Sequence, residues 1–168
     1  MQRLMDIDHT EVVENIFVWQ DGALVLEKQY AEIPDWSQEE KHALIETFEQ
    51  HFDHGATMVG AFRQATLVGV VKIMPLGSAE RPGAYELGYI VVSRGYRNRG
   101  IGTTLIEMAI ENAIAVGARS LCMLATPVEH TIRFYLSVGF TPGDVPELAV
   151  FDWWDGEDIY LEMTLPRA

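Results

Sequence analysis

Apolar and polar positions change period several times along the 168 residues, and each change marks an element. Residues 12–30 hold two apolar-rich runs joined by Asp21-Gly22, a dipeptide that tolerates the positive φ of a tight hairpin turn. Ser37 with Glu40 forms a capping box, and Leu44, Ile45, Phe48 and Phe52 supply a helical stripe that stops at Gly55. Residues 57–62 and 67–74 predict a strand pair about Arg63-Gln64, and residues 85–92 predict another strand. From 102 to 116 the spacing of Leu105, Met108, Ala109, Ala113 and Val116 predicts a helix packed on one face and ended by Gly117. Residues 121–125 read as a short buried strand, 129–138 as a helix closed by Gly139, and 159–165 as a last, alternating strand. Hairpins followed by strand, helix, strand, helix and strand predict an α/β domain with a mixed sheet rather than a doubly wound one. No repeat, low-complexity tract or linker divides the chain. Residues 1–168 are therefore expected to form one domain, with 1–36 as a hairpin region.

Charge narrows the choice of partner. Lys and Arg number 12 against 25 Asp and Glu, a net charge of −13. That field repels phosphate backbones and anionic lipid, so neither nucleic acid nor membrane is expected as a partner. An anionic ligand needs a local cluster of donors, whereas a cationic amine is drawn in by the whole molecule. The single cysteine, Cys122, excludes an intramolecular disulfide and a multi-cysteine zinc site. The first residues carry Arg3, Asp6 and Asp8 with no apolar run, and no stretch approaches the ~18 apolar residues of a membrane span. A soluble, cytoplasmic protein is expected. His51-x-x-His54 has no third ligand in sight, so no metal is expected either.

The chemistry concentrates between the strand at 85–92 and the following helix. Arg94, Arg97 and Arg99 place three of the chain's cations within six residues, next to Gly100 and Gly102. A helix start offers unpartnered N–H groups and the positive end of a dipole, and glycine removes side chains that would hold an anion away. A dinucleotide fingerprint needs a glycine where Leu105 stands, and a Walker A loop needs a Gly-Lys-Ser/Thr ending that is absent. Instead, Arg97-Asn98-Arg99-Gly100-Ile101-Gly102 resembles the (Arg/Gln)-x-x-Gly-x-(Gly/Ala) signature of the GNAT superfamily of N-acetyltransferases. Residues 125–140, with Tyr135 and then Gly139-Phe140, are similar to that family's later motif.

The resemblance implies a GNAT-like mixed, mostly antiparallel sheet flanked by helices, whose two splayed parallel strands, here 86–92 and 121–125, hold acetyl-coenzyme A. The pyrophosphate would rest on the amides of Arg97, Asn98, Arg99, Gly100, Ile101 and Gly102, with Thr103 and Thr104 adding donors. The backbone of Ile90, Val91 and Val92 would pair with the pantetheine arm. Tyr135 matches the family tyrosine that protonates the leaving thiolate, and Glu86 stands where many relatives place a general base. The acceptor implied is a primary amine, small and cationic in keeping with the charge. Acetylation of a protein N-terminus or lysine, or a non-catalytic acyl-coenzyme A sensor, are the alternatives, and a homodimer is one expectation because relatives commonly pair.

Other features carry less. Residues 141–158 hold Asp144, Glu147, Asp152, Asp155, Glu157 and Asp158 interleaved with Phe151, Trp153 and Trp154, a strip suited to a cation or to a surface loop. Trp19, Tyr30 and Trp36 are candidate walls of the same cleft, and His130 stands at the helix entry beside it. The chain departs from the family in its early hairpin, so the usual first strand is missing, replaced by one strand of that hairpin, or cut away.

Overall fold

The structure is a computed structural model that describes residues 1–146 and 156–166. A short 3-10 turn, Gln2–Asp6, precedes β1 (Glu11–Gln20) and β2 (Ala23–Ile33), which pair antiparallel. Asp21 and Gly22 both take positive φ, 51° and 79°, the twist a two-residue hairpin turn requires. α1 (Gln38–Asp53) begins at the expected capping box: the Glu40 N–H donates to Ser37 Oγ and the Ser37 N–H to the Glu40 carboxylate. Replacing Ser37 by Ala is expected to cost about 1 kcal/mol. Thermal unfolding would show this as a midpoint lowered by about 2–4 °C in a domain of this size.

β3 (Thr57–Arg63), β4 (Thr66–Pro75), β5 (Ala84–Val92), β6 (Ser120–Ala125), β7 (Thr141–Pro142) and β8 (Ile159–Thr164) form one sheet in the order β3-β4-β5-β6-β8-β7. Only β5 and β6 are parallel among its paired neighbours. α2 (Ile101–Ala115) and α3 (Glu129–Ser137) cover one face, where Ile106, Ala109 and Ile132 pack against Val71, Leu121 and Leu161. The 3-10 turn and α1 cover the other, setting Leu4, Ile45 and Phe48 on Val70 and Val91. The mixed α/β architecture is as expected. β7 was not anticipated, two residues being too short to show a period.

The hairpin forms a sheet of its own. Neither of its strands replaces a first strand of the large sheet, whose edge among the described residues is β3. β1 buries Val13 and Phe17 and docks at the entry of α3, where the Phe17 N–H donates to the Pro127 carbonyl at 2.7 Å and Ile16 bridges Val128. β2 is exposed along most of its length, since β1 is its one strand partner among the described residues, and Leu24 packs against the main core. Among the described residues no helix is long and apolar enough to cross a membrane.

Candidate active site

A β-bulge opens the site. Lys72 lies opposite Tyr89 and Met74 opposite Glu86, so Leu87 and Gly88 of β5 together face the single residue Ile73 of β4. The parallel pairing of β5 with β6 covers only Ala84–Ser120, Tyr85–Leu121 and Glu86–Cys122. Past Glu86 the two strands part, and from Leu87 to Val92 the β5 edge that faces β6 has no strand partner among the described residues. The resulting cleft, about 490 Å³, is lined by Leu87–Val92, by 123–126 at the end of β6, by the start of α2 and by α3.

The loop after β5 supplies the donors. Tyr96 and Arg97 use their N–H groups to close a 3-10 turn, at 2.8 Å to the Ser93 carbonyl and 3.3 Å to that of Arg94. Asn98 and Gly100 take left-handed φ, 58° and 80°, and Gly100 caps α2. The first helical bond is from the Thr104 N–H to the Gly100 carbonyl at 3.0 Å, so the amides of Gly100, Ile101, Gly102 and Thr103 precede the ladder. Gly102 also lets α2 approach α3, since a Cβ there would stand 3.3 Å from Phe134 Cζ.

Placed residue by residue, the expected site is largely assembled. Ile90, Val91, Val92, Asn98, Gly100, Gly102, Thr103 and Tyr135 all line the cleft. Arg97 lines it too, with two corrections to its expected role. Its N–H is taken by Arg94, so the usable amides begin at Asn98. Its guanidinium donates from Nε to the Val92 carbonyl at 2.9 Å and from Nη2 to the His9 carbonyl at 3.1 Å, and sits 3.8 Å from the Glu11 carboxylate. Carbonyls within reach of a five-donor fork have claimed it. Arg99, Ile101 and Thr104 are not among the lining residues: Arg99 lies over the Tyr96 ring at 5.5 Å, Ile101 packs toward Gly69, and Thr104 starts the helical ladder.

Tyr135 is 7% exposed, its ring held edge-on by Phe140 at 5.8 Å and tilted against Phe134 at 5.4 Å. Burial raises its phenol well above the usual value, so it stays protonated and able to donate. Glu86 does not line the cleft but stands one residue before its first lining residue, at the closed end of the split. Burial raises its carboxyl, and Lys72 partly opposes that shift.

Periodicity did not reveal His9, which belongs to a segment without regular structure, or Glu11, the first residue of β1. The Asp8 N–H donates to Ser93 Oγ at 3.0 Å and the Arg94 N–H to the Asp8 carbonyl at 2.9 Å, pinning that segment to the loop. Glu11 meets His130 Nε2 at 2.5 Å, and both line the cleft with His9 and Trp36. Tyr30 is exposed, hydrogen-bonded to Glu32. Trp19 instead walls a second cavity, about 540 Å³, where it donates to Asp144 at 2.7 Å beside Glu157 and Asp158. Glu147, Phe151, Asp152, Trp153, Trp154 and Asp155 lie outside the described residues. His51 meets Lys72, and His54 meets the Gln50 carbonyl.

Comparison with known proteins agrees with this geometry. A nourseothricin acetyltransferase is 21% identical, with a TM-score of 0.69 over 98% of this chain and 92% of that one. A candidate streptothricin acetyltransferase from Bacillus anthracis str. Ames, in complex with acetyl coenzyme A, is 17% identical, with a TM-score of 0.65 over 95% and 90%. An aminoglycoside 6'-N-acetyltransferase complexed with coenzyme A is 21% identical, with a TM-score of 0.61 over 79% and 84%. No curated protein sequence matches the chain significantly. The profile of the acetyltransferase (GNAT) family matches residues 16–140, which take in the bulge, the split strands, the glycine loop and Tyr135, and the chain belongs to that family.

Proposed function

We propose that this acetyltransferase moves the acetyl group of acetyl-coenzyme A to a primary amine on a small cationic molecule. The observation that carries the reading is the split between β5 and β6, with an unpaired strand edge along one wall and the bare amides of α2 at its mouth. The donor set fits the group: amides and a helix dipole suit a pyrophosphate, and a free strand edge suits the amides of a pantetheine arm. When bound, acetyl-coenzyme A supplies an acetyl thioester already activated toward an amine. Asn98, Gly100, Gly102 and Thr103 hold its anionic end. Tyr135 gives its proton to the departing sulfur, and Glu86, at the closed end of the split, takes one from the attacking nitrogen through water.

The net charge of −13 supports a cationic acceptor. So does the pattern of likeness. The relatives named for nourseothricin and streptothricin align over 98% and 95% of this chain, so the N-terminal hairpin region belongs to the shared fold. Nourseothricin is accordingly the first acceptor to try.

Calorimetric titration with acetyl-coenzyme A, followed by thiol release with nourseothricin, spermidine and an amino-terminal peptide, tests the proposal. One-to-one donor binding and turnover with a small polyamine are expected. Arg99→Ala should weaken donor binding several-fold by removing a cation beside the lining residues Asn98 and Gly100, whereas Arg97→Ala should act mainly on thermal stability. No binding by the wild type would sink the acetyl-coenzyme A reading, and turnover of the peptide alone would reassign the acceptor.

A further inference from the structure

Below the closed end of the cleft lies a buried cation that the reaction as described does not use. Lys72 of β4 is 4% exposed, although lysine is rarely that buried without a partner. Among the described residues it forms no ion pair with a carboxylate within 4.0 Å. Its Nζ lies 2.6 Å from His51 Nδ1 on α1 and 5.1 Å from the centre of the Phe48 ring. A third neighbour is a missing side chain. A Cβ on Gly88 would stand 2.9 Å from Lys72 Cε, 3.3 Å from Lys72 Nζ and 3.5 Å from Glu86 Cδ. The ammonium and the Glu86 carboxyl thus both border the hollow above one glycine, without a direct contact between them, and that glycine is in the bulge where the strands begin to part.

The surrounding groups leave Lys72 as the cation that bears on Glu86. Cys122, opposite Glu86 on β6, is a neutral thiol pushed up to about 11 chiefly by burial. Arg81 is engaged by Tyr160 and Glu162 of β8. On α1 and at its C-cap, His51 and His54 are the titratable neighbours, and burial lowers His51, keeping it neutral and able to accept from Lys72. Lys72 itself is lowered by burial and raised by Glu86, the reciprocal of the effect on Glu86.

We propose that Lys72 is a positioning residue for Glu86: anchored by His51 and seated over Gly88, its ammonium orients and charge-balances the Glu86 carboxylate at the closed end of the cleft. The inference rests on Glu86 being the group that accepts the amine proton.

The test is the pH dependence of kcat for thiol release with nourseothricin, measured on the wild type, Glu86→Gln, Lys72→Met and Lys72→Arg, with acetyl-coenzyme A affinity measured alongside. Lys72 lowers the Glu86 value, so removing its charge should move the acidic limb of kcat upward by about one pH unit. Donor affinity should stay within about twofold, and Lys72→Arg should restore the wild-type limb. If Glu86→Gln abolishes the limb while Lys72→Met leaves it in place, Glu86 is the base and the role given to Lys72 is wrong. If Glu86→Gln keeps the wild-type limb, the assignment of Glu86 fails and Lys72 loses its role with it. A displaced limb that Lys72→Arg does not restore would also overturn the proposal, since the methionine would then act through packing rather than charge.

Discussion

Replacing Tyr135 by Phe is expected to lower kcat about a hundredfold, within the range that a positioned acid or base contributes, while acetyl-coenzyme A affinity stays nearly unchanged. The reasoning is differential: the phenylalanine ring keeps the packing against Phe134 and Phe140 and removes only the hydroxyl proposed to protonate the departing thiolate. The pH dependence has a definite sign. Burial raises the Tyr135 phenol, so it remains protonated through neutral pH and well into the alkaline range. Any basic limb of kcat near pH 8 in the wild type would therefore come from another group. Single-turnover acetyl transfer, which isolates chemistry from product release, is the measurement that checks this. An unchanged rate would remove Tyr135 from the reaction.

A second large effect belongs to stability, with an echo in catalysis. Phe140 is 2% exposed and meets the Tyr135 ring edge-on at 5.8 Å. Its truncation to Ala should cost about 3–5 kcal/mol through lost burial and the cavity left behind, visible in denaturant unfolding as a lower midpoint. The milder Phe140→Leu should fold and still lower kcat several-fold, because the wall that aims the Tyr135 hydroxyl has loosened. An effect of Phe140→Leu on stability alone would mean that Tyr135 is aimed by α3 rather than by this contact.

What was legible in the residues was local. The Ser37 cap and the Asp21-Gly22 turn are decided within a few residues, and each appears where expected. The bulge in β5 was not legible. It shifts the alternation by one, so that Ala84 before it and Tyr89 and Val91 after it share the face that carries α1, although a regular strand would send even and odd positions to opposite faces. Lys72 escaped notice for a related reason, since a lysine inside an apolar strand shows no sign of the histidine and glycine that accommodate it from other elements. The arginine loop was legible as a stretch rich in donors, but the direction of each side chain was not. Arg97 turns to carbonyls that the fold brings from residues far along the chain.

Arg97 also joins parts that the order of residues keeps apart. One guanidinium touches the end of β5 at Val92, the leading segment at His9 and the start of β1 at Glu11, and Glu11 passes the connection to His130 on α3. A ligand that settles on the neighbouring amides is expected to order the loop in which Arg97 is rooted, and thereby to favour the attached state of the leading segment. By thermodynamic linkage the converse holds to the same degree: whatever frees the leading segment weakens the hold on the ligand by the free energy that the ligand spends in restoring it. The first ten residues, remote in sequence from the glycine loop, thus share a single equilibrium with it.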